Sequence, residues 1–247
     1  MQCRKEDRME QWSNFLKTVG ENLTFLAVVF CVAAALIGVS RGLEIIIGRH
    51  KGVGYEKLSV KKIAVIGMIL MLFEFPIPFL APPFYELDFS EVPVLICSFL
   101  YGPVAGVLVE LVKVILKVLI KGTSTAFVGD FANFAVGCSF VIPASAWYQS
   151  KKSKKNAVAA MILGTVVMTI FGTLFNGVYL LPKFAQLYGM PLEQIIAMGT
   201  TINGNIHNIL TFVIIAVAPI NLIKGISVTI LVTFIYKPIS RALHRIA

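Results

Sequence analysis

The chain has 247 residues, of which 57% are hydrophobic and 14% charged, with a net charge of +9 and a mean hydropathy of +0.83. That is too apolar for a water-soluble domain of this length, and its continuous apolar runs exclude a β-barrel, whose strands alternate. The expected class is an all-α integral membrane protein. The positive charge does not point to nucleic acid, because the basic residues gather at the ends of apolar runs, where the positive-inside rule accounts for them.

Residues 1–21 mix Arg4, Lys5, Arg8 and Lys17 with Glu6, Asp7, Glu10 and Glu21, which leaves this end without an orienting bias. Residues 22–47 can cross the membrane, with Arg41 and Glu44 near the end; no small-residue cleavage pattern follows, so the segment reads as a retained helix. Arg49, Lys51, Lys57, Lys61 and Lys62 mark the next connection as cytoplasmic. Residues 63–73 then run outward into FEFPIPFLAPPFYELDFSEVP, residues 73–93, which would face outside.

In that stretch Pro76, Pro78, Pro82, Pro83 and Pro93 fix φ and remove backbone donors, so the connection is stiff and non-helical. Phe75, Phe79, Phe84, Tyr85 and Phe89 lie between them, and Glu86, Asp88, Ser90 and Glu91 stand at the far end. Such a segment suits a lid over a flat, partly polar ligand, and equally a proline-ordered surface loop.

Residues 92–101 form a short apolar piece ending at the turn signal Gly102-Pro103, and 104–120 form the next helix. Glu110, Lys113, Lys117 and Lys121 share one stripe of that helix. Ionisable groups in a span are functional candidates, but Glu110 can simply pair with Lys113 while Lys117 and Lys121 snorkel to the outer interface. Residues 122–129 read as an outer loop and 130–148 as an inward helix, followed by the basic loop Lys151, Lys152, Lys154 and Lys155. Residues 156–181 run outward and 182–193 connect. The remainder returns inward as a long apolar segment interrupted at Pro219, with Arg241, His244 and Arg245 placing the C-terminus in the cytoplasm. The expected organisation is an N-terminal extension, 1–60, with one transmembrane or interfacial helix, and a six-helix domain over 61–247. No period of 20 to 50 residues and no inverted halves are visible, so a two-bundle secondary transporter is not indicated.

The polar residues of greatest weight are Asn176, Asn221 and Lys224, each within or beside an apolar segment. Asn221 and Lys224 are three apart, on one face of a helix that Pro219 is expected to break. Two amides and an amine supply donors and acceptors suited to a heterocycle with imide-like edges, although each asparagine could serve only as an interhelical hydrogen bond. In the segment 203–208, Asn203 or Asn205 can cap the last helix, and His207 has no carboxylate or second histidine nearby to orient it. Cys3, Cys31, Cys97 and Cys138 show no metal-binding spacing, and three of the four lie in apolar runs. No nucleotide-binding loop, metalloprotease motif or catalytic triad pattern is present. The sequence points to neither catalysis, metal nor cofactor.

Five stretches in order, the proline-rich segment, GPVAGVLVELVK (102–113), GDFANFAVG (129–137), FNGVYLLP (175–182) and APINLIKG (218–225), resemble the riboflavin-specific substrate-binding (S) component of energy-coupling factor (ECF) vitamin transporters. The resemblance runs from about Lys61 to the C-terminus. It implies a multi-pass protein of the bacterial plasma membrane that captures riboflavin from outside under its first connection. The partners implied are a transmembrane coupling subunit and two cytoplasmic ATPases, which explains the missing nucleotide motif. Riboflavin would be cargo and not a cofactor. Asn176, Asn221 and Lys224 match the positions that contact the isoalloxazine system, and Leu87, Asp88 and Asn133 match by motif position. Two departures stand out: Ala64 and Gly67 are three apart where the family spaces small residues by four, and residues 1–60 lie outside the pattern. The alternatives are an S component for FMN or another vitamin, a membrane-embedded enzyme acting on a lipid or quinone, and a scaffold whose polar residues only join helices.

Overall fold

The computed structural model describes residues 23–51, 74–76, 86–123 and 125–246, with Lys17 and Gly20. The expected helix over 63–73, the Ala64–Gly67 pair and the middle of the proline-rich stretch lie outside the described residues. In chain order the elements are α1 (Leu23–Lys51), β1 (Glu74–Pro76), β2 (Glu86–Asp88), α2 (Glu91–Tyr101), α3 (Pro103–Lys121), α4 (Val128–Ser150), α5 (Lys154–Phe175), α6 (Leu181–Tyr188), α7 (Leu192–Ile202), α8 (Ile209–Phe212) and α9 (Ala218–Ile246). The class is all-α. Among the described residues, four stretches are long and apolar enough to cross a membrane: Leu23–Gly48, Val128–Ser150, Lys154–Tyr188 and Ile209–Ile235.

α4 sits at the centre, packed against α1, α2, α3 and α5, and is apolar and buried almost all round, as a core helix must be. α5 and α9 pack on each other and are two-faced. On α5, Ala160, Met161, Gly164, Thr165, Met168 and Gly172 face inward, while Ile162, Val166, Ile170 and Leu174 recur every fourth residue on the outside, where lipid would meet them. The C-terminal end of the short helix α2 is completed by α4: Ser145 donates to the carbonyl of Ser98 at 2.8 Å and Gln149 to that of Phe99 at 2.8 Å.

The proline-rich stretch is extended at residues 74–76 and 86–88, which form an antiparallel pair, Glu74 opposite Asp88, Phe75 opposite Leu87 and Pro76 opposite Glu86. Its last residues, 91–93, are not non-helical as expected: they form the first turn of α2, where Pro93 has no intrahelical donor to lose. A two-stranded ribbon has only edges, so Pro76 is tolerated.

The N-terminal helix is part of the bundle. Phe25 meets Phe131 at the start of α4, ring centroids 5.8 Å apart. Nearly the full length away, Glu44 accepts the N–H of Val104 at 3.1 Å at the start of α3. α1 therefore runs alongside α3 and α4 and does not lie across them. Glu44 is buried, its other oxygen pairs with Arg41 at 3.1 Å, and its charge sits at a helix N-terminus, where the dipole favours an anion.

Three expectations about the later helices are corrected. Pro219 does not interrupt its segment: the helix continues through it, and the break lies at 203–208 instead. The cap there is neither Asn203 nor Asn205 but Asn208, whose side chain accepts the N–H of Thr211 at 2.8 Å in a reciprocal capping box. Likewise Pro182 does not end its helix, which runs on to Tyr188 and turns at Gly189. Both prolines are accommodated the same way. A π turn, Asn176–Leu180 in one case and Val213–Val217 in the other, ends two residues before the proline. Leu181 N–H bonds back to the carbonyl of Asn176, and Ala218 N–H to that of Val213, each five residues earlier. Widening the ladder makes room for a ring that would otherwise collide with the preceding turn.

Candidate functional site

The two π turns touch, since a side chain on Gly177 would meet Val213 at 3.4 Å, and they fix where the polar residues of α5 and α9 converge. Asn176 opens the first π turn; it is only 4% exposed, and its Nδ2 donates to the carbonyl of Gly172 at 2.7 Å. Asn221 approaches the same glycine from α9: a Cβ on Gly172 would lie 2.7 Å from Asn221 Nδ2. Only glycine lets the two amides share that spot. Asn221 is 8% exposed and its Nδ2 has no hydrogen-bond partner. A buried amide donor left unpaired is costly and calls for an explanation; a ligand acceptor supplies one.

One turn beyond Asn221, Lys224 donates to Glu91 Oε1 at 3.0 Å, and both side chains are buried. Glu91 opens α2, three residues past the end of β2, and its Oε1 lies 3.7 Å from Lys113 Nζ. Lys113 in turn sits 2.7 Å from Glu110 Oε2 and donates to Ser90 Oγ at 2.8 Å. The close fit depends on Gly137 of α4, where a Cβ would stand 2.9 Å from Glu91 Oε1 and 3.0 Å from Glu110. Among the described residues, two carboxylates and two ammoniums thus form one buried group of opposite charges, the arrangement that makes intramembrane charge tolerable. The pairing of Glu110 with Lys113 is as expected. Lys117 also has an acidic neighbour, 3.8 Å from Asp130 Oδ1.

The expected site residues lie on four elements. Leu87 and Asp88 lie on β2, which packs against α9; Lys224 and Asn221 are on α9, and Asn176 is across Gly172. Asn133 is half-buried on α4, one turn before Gly137 and on its stripe. Two features escaped sequence reading. Glu91 looked like one of several polar residues ending a loop, and nothing in its neighbours signals full burial. The second is an aromatic wall beside Asn176: Phe175 stacks on Tyr179 at 5.2 Å and on Phe171 at 5.5 Å, and Phe131 meets Phe175 and Tyr179 edge-on at 6.0 and 6.4 Å. Phe175 and Tyr179 are four apart, a spacing that puts them on one face, but apolar residues so fill both helices that the pair does not stand out.

An apolar aromatic wall, convergent amides, one of them with an unpaired donor, and a buried ammonium suit recognition of a flat heterocycle. They include no nucleophile–base pair.

Comparison with known proteins places the chain among its relatives. Residues 62–236 match the family described as the substrate-specific component of ECF transporters. The chain is 38% identical over 190 residues to the riboflavin transporter RibU of Staphylococcus aureus (strain TCH60), covering 76% of this chain and 92% of that protein. It is 33% identical over 186 residues to the riboflavin transporter FmnP of Bacillus subtilis (strain 168), covering 72% of this chain and 92% of that protein. A solved S component of a bacterial ECF transporter superposes with a TM-score of 0.57 at 36% identity, covering 74% of this chain and 94% of the other.

Proposed function

This chain belongs to the family of substrate-specific components of ECF transporters, a multi-pass membrane protein that serves transport and not catalysis, and from that premise we propose that its ligand is riboflavin. The reading rests on one observation above the others: the buried Asn221 amide with an unpaired donor, set against Gly172 between Asn176 and Lys224. A flavin ring offers carbonyl and ring-nitrogen acceptors on one edge and an apolar face for the Phe175–Tyr179 wall. In this reading Asn176, Asn221 and Lys224 contact the ring, Leu87 and Asp88 reach it from β2, and Asn133 from α4. The relatives in Staphylococcus aureus and Bacillus subtilis are named riboflavin transporters, which supports the same cargo.

Riboflavin is favoured over FMN because two lysines of the α3 stripe are already matched by acids, Lys113 with Glu110 and Lys117 near Asp130. A phosphate would have to displace those partners. The β1–β2 ribbon would close over the ligand on the extracellular side. Delivery would pass through a transmembrane coupling subunit driven by two cytoplasmic ATPases, with the C-terminus in the cytoplasm and residues 1–60 an extension on the 61–247 binding domain.

The test is a visible absorption spectrum of the detergent-purified protein, followed by extraction of any yellow ligand and fluorescence titration with riboflavin and FMN. A stoichiometric flavin displaced by riboflavin and poorly by FMN is the expected result. A colourless protein that leaves riboflavin fluorescence unquenched overturns the assignment.

A further inference from the structure

Lys224 is the candidate ligand residue whose state depends most on its surroundings, because an ammonium inside a membrane bundle must be held charged and aimed by something. The geometry points to Glu91 as the positioning residue that does this, and through it as the link between the ligand site and the base of the β-ribbon. The inference rests on the flavin-binding reading above.

Three observations carry it. First, Glu91 is fully buried, and its Oε1 accepts from Lys224 Nζ at 3.0 Å, closer than Lys113 Nζ, which stands at 3.7 Å. Second, Lys113 stands closer to Glu110 Oε2, at 2.7 Å, and to Ser90 Oγ, at 2.8 Å, than to Glu91, so among these described contacts the short one of Glu91 is with Lys224. An ammonium has three donors in tetrahedral array, and fixing one on Glu91 fixes where the others aim. Third, Glu91 is joined to the end of β2 by only Phe89 and Ser90, and Ser90 is itself tied to Lys113. The last residues of the ribbon are therefore anchored to α3 and α9 by the same buried group that orients Lys224.

The test is a double-mutant cycle read by riboflavin titration of the purified full chain. Glu91→Gln keeps shape and removes the charge. It is expected to weaken riboflavin binding at least about tenfold, and the double variant Glu91→Gln with Lys224→Met is expected to bind no more weakly than Lys224→Met alone. A carboxylate that merely supports the fold would instead give losses that add. Glu91→Asp, which keeps the charge, is expected to recover part of the affinity lost in Glu91→Gln. Should Glu91→Gln not fold, the same cycle is run with Glu91→Asp, and additive losses there overturn the inference equally. Unchanged affinity in Glu91→Gln, or additive losses, overturns the role of Glu91 while riboflavin binding by the unaltered chain stands. An unaltered chain that takes no riboflavin overturns both.

Discussion

The acid–base group between α2, α3 and α9 and the amide pair beside Gly172 are both buried polar sites in a lipid-embedded bundle, but they are completed in different ways. Glu91, Glu110, Lys113 and Lys224 neutralise one another inside the protein. Asn176 is satisfied by its own helix through Gly172, while Asn221 keeps an unpaired donor. The contrast teaches where to look for a ligand in a membrane protein: charge alone is a poor guide, because charge in lipid must be paired for the fold to exist at all, whereas an amide that packing leaves incomplete needs something from outside. Lys224 pairs with Glu91 and stands one turn from Asn221 on α9, and so lies between the two.

The largest effect should come from breaking the acid–base group. Glu110→Ala leaves Lys113 without its nearest acid and should cost about 3–5 kcal/mol of stability, seen as a large drop in the thermal midpoint in detergent with or without flavin. A midpoint unchanged from the parent would mean that the group does not hold the helices. Next comes the amide site. Gly172→Ala drives a methyl to within 2.7 Å of Asn221 Nδ2, which should destabilise by about 1–3 kcal/mol and also displace the amide. Riboflavin titration of the folded fraction should show more than the tenfold loss of a single contact.

The comparison is sharpest with the amides and Lys224 changed one at a time. Asn176→Ala and Lys224→Ala should each weaken riboflavin binding by at least about tenfold, roughly 1.4 kcal/mol. Asn221→Ala should do the same but leave the thermal midpoint of the ligand-free protein nearly unchanged, since its Nδ2 makes no hydrogen bond to lose. A marked loss of ligand-free stability in Asn221→Ala would identify it as a structural residue. The smallest effect is expected at the edge of the bundle, where Glu44→Gln weakens the contact of α1 with the start of α3 by about 0.5–1 kcal/mol and leaves riboflavin affinity as it was. A large affinity change there would make α1 part of the binding machinery.

Much of this was legible before the structure. Helix boundaries followed from where apolar runs meet lysines, prolines and glycines, and the spans over residues 23–51, 103–121 and 128–150 differ from expectation by only a few residues at either end. The pairing of Glu110 with Lys113 followed from their spacing on one helix. Pro182 and Pro219 misled because a proline's missing donor is a local fact, while the π turn that absorbs it depends on where neighbouring helices hold the chain. The cap was expected at Asn203 or Asn205, and the fold placed it at Asn208 instead.

By itself the sequence determined the class, the membrane setting and the residues with unusual chemistry, because burial of about 20 apolar residues in lipid and the expense of a polar group there are properties of composition and local order. Only the tertiary structure decided which polar groups complete one another. Glu91 and Lys224 are 133 residues apart in the chain, and Asn221 meets Gly172 through a contact that a single methyl would close. Such pairings are set by how α2, α4, α5 and α9 pack, and no short-range pattern encodes them.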